Sequence, residues 1–365
     1  MSRKATRNSL GFDPTIENPK AAPQTKIQNL EGWSRREFLS TAALAGTAAL
    51  LGVRDSTLAA EPPLDTDKIR VIEPPEICAG TTLIVAQDLL KSEGFTQLQA
   101  VKMATGIDGV NAVARGEADF TITPVPSLVT RVDAGEQLTL LSGIHIGCFE
   151  LFGTERVRSL RDLKGKRVAV SALGSGRHIF LASMLAHVGL DPRRDVDWVT
   201  RPVAESMQMF ARGEIDAFMG FPPEPQELRA KMIGHVVVNT TTDKPWSQYF
   251  CCMVLANRDF VRKHPAATKR ALRGFLKAAN VCALEPQRAV KLRADKGYTV
   301  GSEYALQTIK ELPYNLWREY DPEDTVRFFA LRLHEAGMIK SSPQKIIAQG
   351  TDWRFLKELK KELKA

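Results

Sequence analysis

Lys166-Arg167-Val168-Ala169-Val170-Ser171-Ala172-Leu173-Gly174-Ser175-Gly176-Arg177-His178 is the stretch from which the fold is read. Val168, Ala169 and Val170 form a short buried strand, and Gly174 and Gly176 bracket Ser175 in a tight loop. From Ile179 the apolar residues Phe180, Met184, Leu185 and Val188 return at helical spacing. A glycine loop that opens a helix leaves backbone N–H groups without partners, and the helix dipole favours negative charge there. Ser175 can cap the helix or donate its own hydroxyl. The loop lacks the third glycine of a dinucleotide fingerprint, and no Gly-Lys-Ser/Thr follows. It is a candidate anion seat, although an ordinary capped strand-to-helix connection reads the same way.

The same strand–loop–helix unit recurs from residue 69 onward with short connections, the pattern of an α/β fold with a mostly parallel sheet. Strands are expected over 69–72, 98–101, 119–123 and 138–145, with helices from near Gly80 and over 107–115. The third strand runs into Pro124-Val125-Pro126-Ser127, a loop at the carboxyl edge of the sheet, where ligands bind in open α/β folds. A second lobe repeats the plan with strands over 168–170, 196–200 and 216–219 and a helix over 204–212. Its last strand leads into Gly220-Phe221-Pro222-Pro223-Glu224-Pro225. Arg115-Gly116-Glu117-Ala118-Asp119-Phe120 is echoed by Arg212-Gly213-Glu214-Ile215-Asp216-Ala217: helix, glycine stop, acidic turn, buried strand. Residues 248–255 read as a strand returning to the first lobe, and helices fill the rest.

The first sixty residues read as an address. Ser34-Arg35-Arg36-Glu37-Phe38-Leu39-Ser40 precedes an uncharged, alanine-rich run over 41–53, too short to span a bilayer, which needs ~20 apolar residues. Small residues near Thr57-Leu58-Ala59-Ala60 complete a twin-arginine signal peptide. Cleavage near Ala60 leaves about 305 residues outside the cytoplasm, enough for two domains or lobes of ~150 residues each. The net charge of +8 sits mostly at the ends, with eight basic and five acidic residues in 1–60 and five basic and two acidic in 353–365. The remaining surplus of about +2, without interleaved aromatics, excludes a nucleic-acid-binding surface. Cys78, Cys148, Cys251, Cys252 and Cys282 form no C-x-x-C pair or Cys/His ligand spacing, so they read as small buried hydrophobes, with no metal or cofactor expected.

Arg115 to Asp119, Gly174-Ser175-x-x-His178 and Arg212 to Ala217 together resemble the periplasmic substrate-binding proteins of ABC importers. The closest group is the nitrate, sulfonate and taurine type, in the NMT1/THI5-like family. The resemblance runs from about Ile69 to Gly337. It implies a type II periplasmic-binding fold with two α/β lobes, 61–150 plus 250–365 and 151–249. A two-strand hinge would lie near Phe149-Glu150-Leu151-Phe152 and Tyr249-Phe250-Cys251. It also implies that Gly174, Ser175, Gly176, Arg177 and His178 lie on the ligand, as does the loop Ile77-Cys78-Ala79-Gly80-Thr81. The partners implied are a small anion and an inner-membrane permease, with export through the twin-arginine machinery to the periplasm and a monomeric state.

Two departures bear on this expectation. Phe250-Cys251-Cys252 is at most a fragment of the multi-cysteine iron site of pyrimidine synthases in the same superfamily. Glu73 and Glu76, if they face the cleft, would repel a ligand of more than one negative charge, which favours an amphipathic organic acid. Cys78, Gly80, Thr81, Pro124, Ser127, Gly174, Ser175, Gly176, Arg177, His178, Phe221, Glu224 and Tyr249 are the candidate ligand-binding residues. Arg177 can pair with a carboxylate or sulfonate, or face solvent. His145 and His178 can polarise a ligand or sit satisfied in the core. Phe149, Phe221, Trp246 and Tyr249 can clamp an aromatic ligand or pack lobe against lobe. Capture of a small organic anion is the function expected; an exported enzyme on the same scaffold, pyrimidine-synthase-like, is the alternative. No nucleophile elbow, metal-ligand set or cofactor loop accompanies the glycine seat, which suits binding better than chemistry.

Overall fold

Strand and helix alternate from Lys68 in a computed structural model of the chain, which describes residues 61–298 and 301–363. The twin-arginine stretch lies outside the described residues. The first lobe begins with β1 (Lys68–Glu73), α1 (Ile77–Ser92), β2 (Gln97–Lys102) and α2 (Gly106–Ala114). It continues through β3 (Phe120–Pro124), α3 (Val125–Asp133) and β4 (Leu138–Ile146). The second is built from β5 (Glu150–Gly153), β6 (Lys166–Val170), α4 (Gly176–His187), β7 (Val196–Thr200) and α5 (Val203–Ala211). It ends with β8 (Ala217–Gly220), α6 (Glu224–Ala230) and β9 (His235–Asn239). The chain then returns to the first sheet as β10 (Phe250–Asn257). There follow α7 (Arg258–Lys263), α8 (Pro265–Leu284), α9 (Pro286–Asp295), α10 (Ser302–Glu311), α11 (Pro322–Glu335), α12 (Pro343–Gly350) and α13 (Arg354–Glu362). Among the described residues no helix is long and apolar enough to cross a membrane.

Each lobe holds a five-stranded sheet, ordered β2-β1-β3-β10-β4 and β7-β6-β8-β5-β9. The expected mostly parallel sheet is in fact mixed. β10 runs antiparallel to both β3 and β4, and β5 runs antiparallel to both β8 and β9. The reason is the crossing itself: a strand that arrives from the other lobe enters the sheet without the helical crossover that parallel neighbours require. β4 and β10 are buried at every position and are mostly apolar, whereas the edge strands β2 and β7 are partly exposed.

The echoed sequence proves to be a folding device. Gly116 and Gly213 stop their helices at φ +72° and +70°, the left-handed region glycine adopts freely. The aspartate three residues later then clamps the neighbouring strand. Asp119 accepts from the Arg70 N–H (2.7 Å) and the Arg70 guanidinium (2.6 Å). Asp216 accepts from the Arg167 N–H (2.9 Å) and the Arg156 guanidinium.

Three local expectations change. Pro74-Pro75-Glu76 starts α1 three residues before Gly80, so residues 77–81 form its first turn rather than a loop. Pro126 sits in the first turn of α3, so β3 passes directly into a helix where a proline-rich loop was expected. The crossing falls at residues 147–149 and 240–249, because sheet pairing already begins at Glu150 and Phe250. There Gly147 and Cys148 both have positive φ, +73° and +101°. Thr240 staples the two crossings: its hydroxyl donates to the Phe149 carbonyl (2.8 Å) and accepts from the Phe149 N–H (3.1 Å).

Candidate functional site

The sheets bring the first turns of five helices to one cleft of about 410 Å³. Glu76 and Ala79 come from α1, Thr105 to Ile107 from α2, Pro124 and Ser127 from α3, Gly174 to Arg177 from α4, and Val203 from α5. Ser175 caps α4, its Oγ accepting from the His178 N–H (3.4 Å). Thr105 caps α2 in the same way, accepting from the Asp108 N–H (3.2 Å). A helix start carries roughly half a positive charge, so five of them add positive potential to a cleft that Arg131 and Arg177 also line. The opposite character is supplied by Phe149 and Phe221, whose rings lie 5.0 Å apart and line the cleft with Val110, Ile122 and Ile179.

Of the residues singled out in the sequence, Pro124, Ser127, Gly174, Ser175, Gly176, Arg177 and Phe221 line this cleft. Gly176 and Ser127 face each other across it: a Cβ added at Gly176 would sit 3.5 Å from Ser127 Oγ. The remaining six are placed elsewhere. Cys78, Gly80 and Thr81 turn inward because they belong to α1. The Cys78 carbonyl accepts from the Tyr314 hydroxyl (3.0 Å), and Gly80 packs against the Pro74 carbonyl so closely that a Cβ would lie 2.5 Å from it. Thr81 is fully buried. His178 braces the loop: its Nδ1 accepts from the Gly174 N–H (3.0 Å) while the ring packs edge-on against Trp198. Burial lowers its pKa, so it stays neutral near pH 7. Tyr249 stacks on Phe328 of α11, 4.0 Å between centroids, beside Trp246. That aromatic cluster forms part of the packing of α11, a helix that also reaches Phe180 of α4 through Phe329.

Glu224 changes the role expected of Arg177. Its two carboxylate oxygens take the Arg177 fork at 2.8 and 3.1 Å, and a third Arg177 bond goes to the Met219 carbonyl (3.0 Å). Arg131, the other arginine of the cleft, is held by Glu136 (2.8 Å) and Asn111 (2.7 Å). Both guanidinium groups are thus already matched to partners, and an entering anion meets amides and hydroxyls first.

Glu76 is the residue the sequence undervalued. Glu73 does face away, held by Gln87 and the Tyr298 hydroxyl (3.1 Å). Glu76 lines the cleft, with Oε1 accepting from the Gly106 N–H (2.8 Å) and Oε2 buried without a hydrogen-bond partner. Burial pushes its pKa up, while the backbone amides of Glu76 and Gly106 and the nearby Arg293 guanidinium pull the other way; Cys78 adds slightly to the rise. A group raised in this way binds its proton above the usual carboxylate range, and the neutral acid can donate to an anion. An anion beside Glu76 raises that pKa further, so affinity should climb as pH falls through the window above 4.5. Titration calorimetry between pH 8 and 5 should show about a tenfold gain, ~1.4 kcal/mol. Glu76→Gln should hold the tighter affinity across that range; a variant with the wild-type slope would remove Glu76 from the site. The Thr105-Gly106-Ile107-Asp108 start of α2 was also missed, although a capping pair placed just after a strand is a readable signal.

A second constellation lies behind the cleft. Ligand atoms of Cys78, His145 and Cys252 fall within 4.8 Å of one another, as do those of Cys148, Cys251 and Cys252, and all five residues are buried. Only Cys252 also lines the cleft. Burial alone would lower the His145 pKa, but its interactions with the Cys252 and Cys78 sulfurs outweigh it and push the ring up to about 10.

Comparison with known proteins bears on the fold and the family. The bicarbonate-binding protein of Synechococcus elongatus is 32% identical over 101 residues, 28% of this chain and 22% of that one, so the chain matches about a fifth of its curated relative's length. Among solved structures, the periplasmic nitrate-binding protein of Synechocystis superposes with a TM-score of 0.65 at 14% identity, covering 83% of this chain and 90% of that one. The alkanesulfonate-binding protein of Xanthomonas axonopodis pv. citri, solved with MOPS bound, superposes with a TM-score of 0.60 at 18% identity, covering 81% and 100%. These likenesses show the fold, an α/β type II periplasmic-binding-protein fold with a mixed five-stranded sheet in each lobe. The NMT1-like family model matches residues 76–294, more than half of the chain, which spans α1 and reaches into α9; the chain belongs to the NMT1-like family.

Proposed function

We propose that the protein is the solute-binding component of an ABC importer, which captures a small organic anion between its lobes and delivers it to a membrane permease. The convergence of five helix starts on one cleft carries this reading. The Phe149–Phe221 wall favours a ligand with an apolar body over a bare inorganic anion, and the half-buried Glu76 favours a single negative charge. A carboxylate or sulfonate head would lie at the first turns of α3 and α4, with the body against the phenylalanines. Binding proteins for bicarbonate, nitrate and alkanesulfonate among the relatives support the anion class. On this reading residues 1–60 direct folded export by the twin-arginine route, and the mature protein works as a periplasmic monomer with lobes 61–150 plus 250–365 and 151–249.

A thermal-shift panel tests the proposal. Ligand at ~100 times its dissociation constant adds about 2.7 kcal/mol, a rise of several degrees for a protein of this size. Small carboxylates and sulfonates with an apolar tail should raise Tm; amines and neutral sugars should leave it unchanged. A shift with amines alone would sink the anion reading. Mass spectrometry of ligand released from natively exported protein then names the solute.

A further inference from the structure

The outgoing crossing and the start of the strand that receives the returning chain each carry a cysteine, and the two sulfurs meet. Cys148 follows Gly147 on the outgoing segment, and Cys251 is the second residue of β10 on the return. Their Sγ atoms are 2.9 Å apart although the residues are 103 positions apart in sequence. Two thiolates on one tetrahedral zinc, with Zn–S near 2.3 Å, stand ~3.8 Å apart. The observed approach is closer than that and short of a formed bond, at ~2.05 Å. Cys148 also holds φ +101°, a conformation a non-glycine residue keeps only where its surroundings enforce it. It lines a cavity of about 220 Å³ beside Glu150, Arg229 and Thr241, which gives a small reagent a way in.

We propose that Cys148 and Cys251 are an oxidisable dithiol, which a small disulfide compound converts into a covalent bridge between the outgoing interlobe crossing and the start of β10. Cys148 attacks one sulfur of the oxidant RS–SR, its proton passing to the Cys251 thiolate as RS⁻ departs. Cys251 then attacks the Cys148 sulfur of the mixed disulfide and expels the second RS⁻, which takes the proton. The two cysteine sulfurs lose two electrons, and the oxidant is reduced to one RSH and one RS⁻. Burial would raise the Cys251 thiol, but hydrogen bonds with Cys148 and Cys252 outweigh it and bring the thiol below its usual pKa. Burial pushes the Cys148 thiol up, so of the two Cys251 is the proton acceptor. The bridge would close the whole second lobe into a loop and fix one point of the pivot about which the lobes move. This inference does not depend on the identity of the solute.

The test is to treat the native protein with bis(2-hydroxyethyl) disulfide, remove the reagent, and label free thiols after unfolding. Intact mass should fall by two hydrogens, two of the five thiols should be lost, and peptide mapping of wild-type protein should join Cys148 to Cys251. Tm should rise by about 5–10 °C and return with reductant. Cys148→Ala and Cys251→Ala should each abolish the mapped bridge and the thermal gain. Five labelled thiols, a bridge between any other pair, or one equivalent of tightly held metal shielding the thiols would each overturn the assignment.

Discussion

Gly176→Val should weaken binding of the anion ten- to hundredfold, ~1.4–2.8 kcal/mol, while leaving the unliganded protein folded. Gly176 is the first residue of α4, and its φ lies outside the left-handed region, so a β-branched residue fits the backbone. The added Cβ meets nothing closer than Ser127 Oγ at 3.5 Å. Its two methyl groups, however, fill the space between the first turns of α3 and α4, where the head group would accept charge-assisted hydrogen bonds from main-chain amides. The cost is loss of those bonds, because the ligand is held away from donors that cannot move. Calorimetry with a ligand identified from the panel reads the affinity, and the melting curve without ligand reads the fold. Equal affinity for variant and wild type would mean that the loop is a mere connection. Gly174 is the wrong place for this test: its φ of +81° would strain any side chain and mix a folding defect with a binding defect.

The largest stability effect should come from Arg177→Met. Arg177 and Glu224 are a partly buried pair, with side chains 14% and 12% exposed, and Glu224 also accepts from the Phe221 N–H (2.7 Å). Removing the guanidinium strands a carboxylate in the lobe interior. Breaking one side of such a pair costs about 3–5 kcal/mol. We expect about 3 kcal/mol here, or a Tm lower by roughly 5–10 °C. Arg177→Met combined with Glu224→Leu should recover most of the loss, since two apolar residues replace two charges, though not the part that fixes Phe221. If the single variant melts with the wild type, the pair is not the brace described here. Affinity should fall less than in Gly176→Val, because Arg177 already spends its fork on Glu224 and its own contribution to the cleft is the backbone of the first turn.

What the sequence determined by itself was the repeating unit and its polarity. Short apolar strands followed by a turn and a helical period place β1, β2, β3 and β6 to β8 before a helix start, and the two Arg-Gly-Glu-x-Asp segments mark two sheets of like construction. Local chemistry suffices for this, since Ser175 needs only its own helix to act as a cap and Gly116 only its own φ to end one. The capped helix start at Gly174 to Arg177 was legible for the same reason. The tertiary structure alone decided which of those helix starts share a cleft, and how β10 enters the first sheet antiparallel. It also decided that Arg177 pairs with Glu224 across 47 positions, and that Cys78, Tyr249 and His178 serve packing rather than the cleft. The cysteines carry the point furthest. Positions 78, 148, 251 and 252, with His145, show no motif along the chain, and they assemble only because the polypeptide leaves the first lobe after β4 and returns as β10. Contacts that depend on where a chain crosses between lobes have no periodicity or cap to announce them, and the crossing itself is fixed by packing of the two sheets.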